Sequence, residues 1–150
     1  RFMVRASLGY PDRDEESSML DRFRFGEDPD AITPSATATD LVVARNTVDN
    51  VTVNDTVRNY LLDIVAATRK STALRLGASP RASLALQHAA QGRAAMKGRS
   101  YVLPDDVKNL AVPVLAHRLL AETTTQLRGQ ATAQIIGDIV EATPVPIERE

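Results

Sequence analysis

Gly77-Ala78-Ser79-Pro80-Arg81-Ala82-Ser83-Leu84-Ala85-Leu86-Gln87-His88-Ala89-Ala90-Gln91-Gly92-Arg93-Ala94-Ala95-Met96-Lys97-Gly98 is the run that decides the fold class. Ser79 is a good helix N-cap and Pro80 a preferred first helical residue, which puts Arg81 in the first turn. Alanine, the strongest helix former, recurs at 82, 85, 89, 90, 94 and 95. Such a face lets a neighbouring helix come close, and Gly98 can end the run in the left-handed region. Arg81 at a helix start opposes its own helix dipole, at a cost of a few tenths of a kcal/mol (about 0.3–1). An anion there would offset that cost, because free N–H groups and a bidentate guanidinium both suit phosphate oxygens. A Ser-Pro cap with an incidental arginine satisfies the same residues.

Helical patterning extends to both sides. Upstream, Val57, Tyr60, Leu61, Ile64, Val65 and Thr68 form a stripe of helical period, capped by Asn54 or Asp55. Before it, Thr39 can cap a helix reaching about Asn50, with Leu41, Val42, Ala44, Val48 and Val51 as apolar positions. Asp12 and Glu15 have the spacing of a capping box, so a helix of about 12 residues starts at Arg13, with Met19, Leu20 and Phe23 on its apolar face. Residues 25–38 read as a polar surface loop. Phe2, Val4, Ala6 and Leu8 alternate with polar or flexible residues, as in a half-buried strand, and Gly9-Tyr10-Pro11 ends it.

Downstream, Pro104 opens a helix that Pro113 is expected to break or kink before Val114-Leu115-Ala116-His117-Arg118-Leu119. Residues 122–129 are polar, and a last helix covers about Ala131 to Glu141. Val51-Thr52-Val53 and Val102-Leu103 are short extended pieces able to pair as a tiny ribbon. The expected fold is mostly α: a bundle of five to six helices, one N-terminal strand and that ribbon.

Composition excludes several classes. The 150 residues hold no cysteine, so neither a disulfide scaffold nor a thiolate metal site is available, which fits a reducing cytoplasm. No apolar stretch is long enough for a membrane span, and no secretory signal opens the chain. The start at Arg1-Phe2-Met3, without initiator methionine, suggests a piece of something larger. Net charge is −1, but it averages unlike parts. Residues 1–30 hold five arginines against eight acidic residues, whereas between Asp63 and Asp105 there are no acids and seven bases: Arg69, Lys70, Arg75, Arg81, Arg93, Lys97 and Arg99. That stretch is either a solvated helix face or a contact for phosphate or an acidic partner.

Most catalytic arrangements fail. His88 and His117 fall on different helices without metal-ligand spacing. His88 suits a hydrogen-bonded core position, and His117 beside Arg118 suits a helix C-terminus. Asp105 and Asp106 suit a helix N-terminus. There is no Walker A loop and no outstanding general base, so the chain lacks a complete active site.

Gly77-Ala78-Ser79-Pro80-Arg81-Ala82, then Gly98-Arg99-Ser100-Tyr101-Val102-Leu103-Pro104-Asp105-Asp106-Val107 and Pro113-Val114-Leu115-Ala116-His117-Arg118-Leu119, resemble the C-terminal part of MoxR-type AAA+ ATPases. Arg1-Phe2 through Leu8-Gly9-Tyr10-Pro11 resembles the last strand of that ATPase core, and Thr143-Pro144-Val145-Pro146 also fits. The resemblance implies that residues 1–11 are the last core strand and connector and that 12–150 are a helical lid. It implies that Arg81 is the sensor-2 residue at the γ-phosphate of ATP, with Ser79 beside it and Tyr10 and Pro11 near the adenine. ATP with Mg is the implied cofactor of the complete protein, with none held tightly by these residues alone. The implied partners are the protein's own core, neighbouring protomers of a hexamer and a von Willebrand factor A-type protein. Leu103 stands where the family usually has Thr, weakening that cap. Ala116 replaces a basic or polar residue, so no role is carried over to it. The alternative is a stand-alone helical module that uses residues 69–99 to bind nucleic acid or a protein partner. Sparse aromatics and the lack of a helix-turn-helix signature speak against nucleic acid.

Overall fold

A computed structural model describes residues 2–26, 33–123 and 131–146. Among them are six α-helices: α1 (Arg13–Arg24), α2 (Ala38–Asp49), α3 (Asp55–Lys70), α4 (Pro80–Met96), α5 (Pro104–Leu115) and α6 (Thr132–Ala142). A 3₁₀ turn, Ala116–Arg118, continues α5, and strands β1 (Leu74–Leu76) and β2 (Leu120–Ala121) pair antiparallel. The mostly α fold expected from the sequence is the observed one. No helix among the described residues is long and apolar enough to cross a membrane. Parts of the two segments read as polar, 27–32 and 124–129, lie outside the described residues.

The chain divides into two compact units, residues 6–44 and residues 2–5 with 45 onward. In the smaller unit, α1 starts as its capping box dictates. An Asp12 oxygen accepts the N–H groups of Asp14 and Glu15 at 3.0 and 2.8 Å, and Glu15 accepts that of Asp12 at 3.1 Å. Its expected apolar face is uncovered, since no residue of α1 is buried. The cap of α2 is Thr37 rather than Thr39. The Thr37 hydroxyl accepts the Asp40 N–H at 3.2 Å while Asp40 accepts the Thr37 N–H at 2.8 Å. The deciding signal is the threonine-to-carboxylate spacing of three, which Thr39 lacks.

In the larger unit the predicted α3 stripe is the buried one, from Val57 to Thr68, and Asn54 caps the helix by accepting the Val57 N–H at 2.8 Å. Helix α4 buries Ala82, Ala85, Leu86, Ala90, Gln91 and Ala94 and packs most extensively against α5. Gly98 ends that region at φ +71°, a conformation open to glycine. The expected ribbon reduces to one parallel bridge between Thr52 and Tyr101. Its bonds run from the Thr52 N–H to the Ser100 carbonyl (2.9 Å) and from the Val102 N–H to the Thr52 carbonyl (3.0 Å).

Three expectations change. The antiparallel sheet joins Leu74–Leu76 to Leu120–Ala121, and strands of three and two residues carry too little periodicity to be read from sequence. Pro113 does not break α5. The helix runs on to Leu115 because Val114 and Leu115 are fully buried, and their packing outweighs one missing helical hydrogen bond. Phe2–Leu8 forms no strand ladder among the described residues, since a strand needs a neighbour for its N–H and C=O groups. The Arg5 N–H instead donates to the Pro113 carbonyl at 2.9 Å.

One buried charge ties the α4–α5 corner together. Asp106 is only 2% exposed and accepts two hydrogen bonds of 2.8 Å from the Arg99 guanidinium, with Arg93 Nε at 3.3 Å. It also accepts the Leu103 N–H at 2.9 Å, so the acid in the first turn supplies the end contact that the Leu103 side chain cannot. Burial by itself raises the Asp106 pKa, but the Arg99 hydrogen bonds, the Leu103 N–H and the two cations outweigh it, leaving the carboxyl below its ordinary range. A carboxylate depressed in the folded state stabilises fully above its unfolded pKa of about 3.9 and loses that contribution as pH falls further. Asp106→Asn is expected to cost about 3–5 kcal/mol at pH 7, as for a buried pair robbed of one partner. The gap to wild type should narrow below about pH 4. Urea unfolding at pH 7 and pH 3 checks both, and a gap independent of pH would contradict the ionic assignment.

Candidate functional site

The site is assembled where β1 hands the chain to α4. Gly77 passes so close to α3 that a Cβ there would lie 2.7 Å from Arg69 Cα and 2.8 Å from both Arg69 N and the Thr68 carbonyl. Those are backbone atoms of a helix and cannot yield, so no larger residue fits. Ala78 follows, buried, and both its backbone groups are satisfied from α3. Its N–H donates to the Thr68 hydroxyl at 3.0 Å, and its carbonyl accepts Arg69 Nε at 2.7 Å. The Thr68 hydroxyl in turn donates to the Val65 carbonyl at 2.6 Å, which fixes its orientation. A buried peptide with both groups paired is anchored.

Three residues later the anchored loop has become a helix. Ser79 occupies the N-cap with φ −74° and ψ 163°, and its carbonyl accepts the Ala82 N–H at 2.8 Å. Its hydroxyl makes no capping bond, so the side-chain half of the expected cap is absent. Pro80 opens α4, and Arg81 follows in the first turn, exposed. Among the described residues the Arg81 side chain has no hydrogen bond or ion pair. It lines a groove of about 550 Å³ together with Met3, Leu84, Gln87, His88 and Arg118. A free guanidinium at a helix N-terminus, aimed by a rigid loop, is an arrangement that can hold an anion such as a phosphate.

The other singled-out residues divide. Ser79 and Arg81 are brought together, while Tyr10 and Pro11 are exposed and belong to the unit 6–44. His88 is not a core residue. Its ring is about half exposed, 3.8 Å from an Asp49 oxygen, because its helix position faces away from the alanine-lined interior. His117 does sit at a helix end, with Nε2 3.1 Å from the Phe2 carbonyl. No group of three histidine or acidic residues close enough to hold a metal occurs among the described residues.

The acid-free basic stretch is less available than its composition suggests. Arg69 is spent on the Ala78 carbonyl, and Arg93 and Arg99 on Asp106. Sequence reasoning missed Thr68 and Arg69 as supports of the site. The signal was present for Thr68, a hydroxyl at a buried position of the helical stripe, where a hydrogen bond offsets the cost of burial.

Two substitutions test this support. Gly77→Ala is expected to lower stability by about 1–3 kcal/mol through overpacking against backbone. Thr68→Val, which keeps the shape but strands the Ala78 N–H, should cost about 1–3 kcal/mol. Arg81→Ala, on an exposed group, should stay within about 0.5 kcal/mol of wild type. Thermal and urea unfolding of the three variants give the comparison, and a neutral Gly77→Ala would refute the close approach.

Comparison with known proteins agrees with this fold. Residues 66–139 match the AAA lid domain, a span that runs from α3 through the site to α6. The chain is 33% identical to the uncharacterized protein YeaC of Bacillus subtilis over 99% of its own length and 47% of that protein. It is 34% identical to the chaperone MoxR1 of Mycobacterium tuberculosis, over 80% of the chain and 34% of that protein. A crystal structure of a candidate ATPase from Cytophaga hutchinsonii superposes with a TM-score of 0.86 at 28% identity, covering 98% of the chain and 47% of its counterpart. The chain thus spans less than half the length of each of these relatives. By its lid-domain match, its relatives and its fold, the chain carries an AAA lid domain of the kind found in MoxR-type AAA+ ATPases.

Proposed function

We propose that Arg81 is the sensor-2 residue of an ATP-hydrolysing, chaperone-like remodelling ATPase, reaching from the lid to the γ-phosphate of ATP bound on the ATPase core. The observation that carries this is the free Arg81 guanidinium in the first turn of α4, held by a loop whose buried peptide is bonded on both sides to α3. Such an arginine stabilises the triphosphate and the charge of its transition state, and it couples hydrolysis to lid movement. The residues present fit a phosphate at Arg81 and, through its uncommitted hydroxyl, at Ser79. The 150 residues contain no Walker A sequence, so ATP and its Mg ion require core residues in addition to these. Residues 1–11 then lead from that core into a lid formed by 12–150, with Tyr10 and Pro11 toward the adenine. The proposed setting is a cytoplasmic hexamer in which the lid meets its own core and a neighbouring protomer, working with a von Willebrand factor A-type partner.

Arg81→Ala in the complete protein is expected to reduce kcat for ATP by about 10²-fold or more, the scale for loss of one preorganised donor. Near-normal turnover at saturating ATP would defeat the assignment. The 150 residues alone should show no ATPase activity and only weak nucleotide binding, and calorimetry revealing tight ATP binding would overturn that part.

A further inference from the structure

The segment before residue 6 is held to the larger unit by contacts that secondary structure does not account for. The Phe2 carbonyl accepts Arg118 Nη2 at 2.6 Å and lies 3.1 Å from His117 Nε2. Three residues on, the Arg5 N–H donates to the Pro113 carbonyl at 2.9 Å. The exchange is reciprocal. The last carbonyls of a helix lack intrahelical donors, and the segment supplies one to α5. In return the 3₁₀ turn that continues α5 supplies two side-chain donors to the segment. For His117 to donate, Nε2 must carry the proton. Among the described residues His117 Nδ1 and Arg118 Nε are both buried without a partner, so two side chains leave polar atoms unsatisfied in making this grip. Buried unsatisfied atoms are uncommon and call for a reason.

The grip also has a place. Met3, between the two bonded positions, lines the groove of Arg81 together with Arg118 itself. Met3 and Val4 further form part of the wall of an adjacent apolar groove with Val48, Ala89 and Met96. Both are 42–44% exposed, whereas Leu8, beyond the grip, is wholly exposed.

We propose that His117 and Arg118 form a clasp that fixes residues 2–5 to the lid and so positions the wall of the Arg81 groove. The clasp makes the incoming main chain and the Arg81 helix move as one body, which a flexible tether would not do. Arg118 is a positioning residue here, acting through Phe2 and Met3. Its consequence for nucleotide rests on reading Arg81 as a phosphate contact, but the clasp itself does not.

The test uses the complete protein with Arg118→Ala, Arg118→Lys and Arg81→Ala, read by amide hydrogen exchange and by ATP kinetics. Arg118→Ala should speed exchange at the Arg5 amide about tenfold or more while the buried α3 and α4 amides keep their rates. Arg118→Lys, which can still reach one carbonyl, should recover most of the protection. Unchanged Arg5 exchange overturns the clasp. Uniform acceleration across α3 and α4 also overturns it, by making Arg118 a general stability residue. In kinetics, Arg118→Ala should raise KM for ATP about fivefold or more with a smaller change in kcat, whereas Arg81→Ala lowers kcat. Faster Arg5 exchange with an unaltered KM defeats the positioning role. Normal turnover in Arg81→Ala defeats the sensor-2 reading alone, with the Arg5 amide still deciding the clasp.

Discussion

The close approach of the Gly77 main chain to the backbone of α3 is the constraint on which the functional geometry depends. Once residue 77 has no side chain, the next peptide can sink against α3, where the Thr68 hydroxyl and the Arg69 guanidinium take its two polar groups. Everything after it follows from that fixed peptide. Ser79 adopts the extended N-cap conformation, Pro80 sets the first helical φ, and Arg81 leaves the helix from a base that cannot drift. A loop anchored only by exposed bonds would leave a long arginine side chain free to wander. The entropy of ordering it would then weaken any contact with a phosphate.

The distribution of charge gains a structural meaning. Residues 64–104 contain no acid, and of the two acids that follow in the first turn of α5, Asp106 is the buried one that gathers Arg93 and Arg99. Had other carboxylates been scattered through the stretch, those arginines would have competing partners and Arg81 a local one. The segment therefore works in two ways. Some of its cations hold the α4–α5 corner, and Arg81 is left without an internal partner among the described residues. A basic stretch of this kind is weak support for a nucleic-acid surface, since part of its charge is neutralised inside the fold.

Helix positions were legible because they rest on local chemistry. The Asp12–Glu15 box, the Asn54 cap, the Ser79-Pro80 start and the stripe from Val57 to Thr68 each lie within a few residues and act on their own backbone. Where local reading failed, a distant partner had decided. Pro113 was carried inside α5 by the burial of Val114 and Leu115, and Leu74 found its strand partner at Ala121. The alternation of Phe2 to Leu8 was read as a strand, but period alone does not supply a neighbouring ladder.

The sequence by itself determined the helical class, most helix boundaries, the alanine face of α4 and the placing of Arg81 in a first turn. Capping and propensity act over three or four residues, so one dimension suffices to see them. Only the tertiary structure decided that Gly77 is required by an approach to α3 and that Thr68 and Arg69 aim the site. It alone showed that Asp106 absorbs two arginines and that His117 and Arg118 grip the Phe2 carbonyl. Those facts join residues up to 116 positions apart, and packing in three dimensions chooses such partners from many that the sequence leaves equally available.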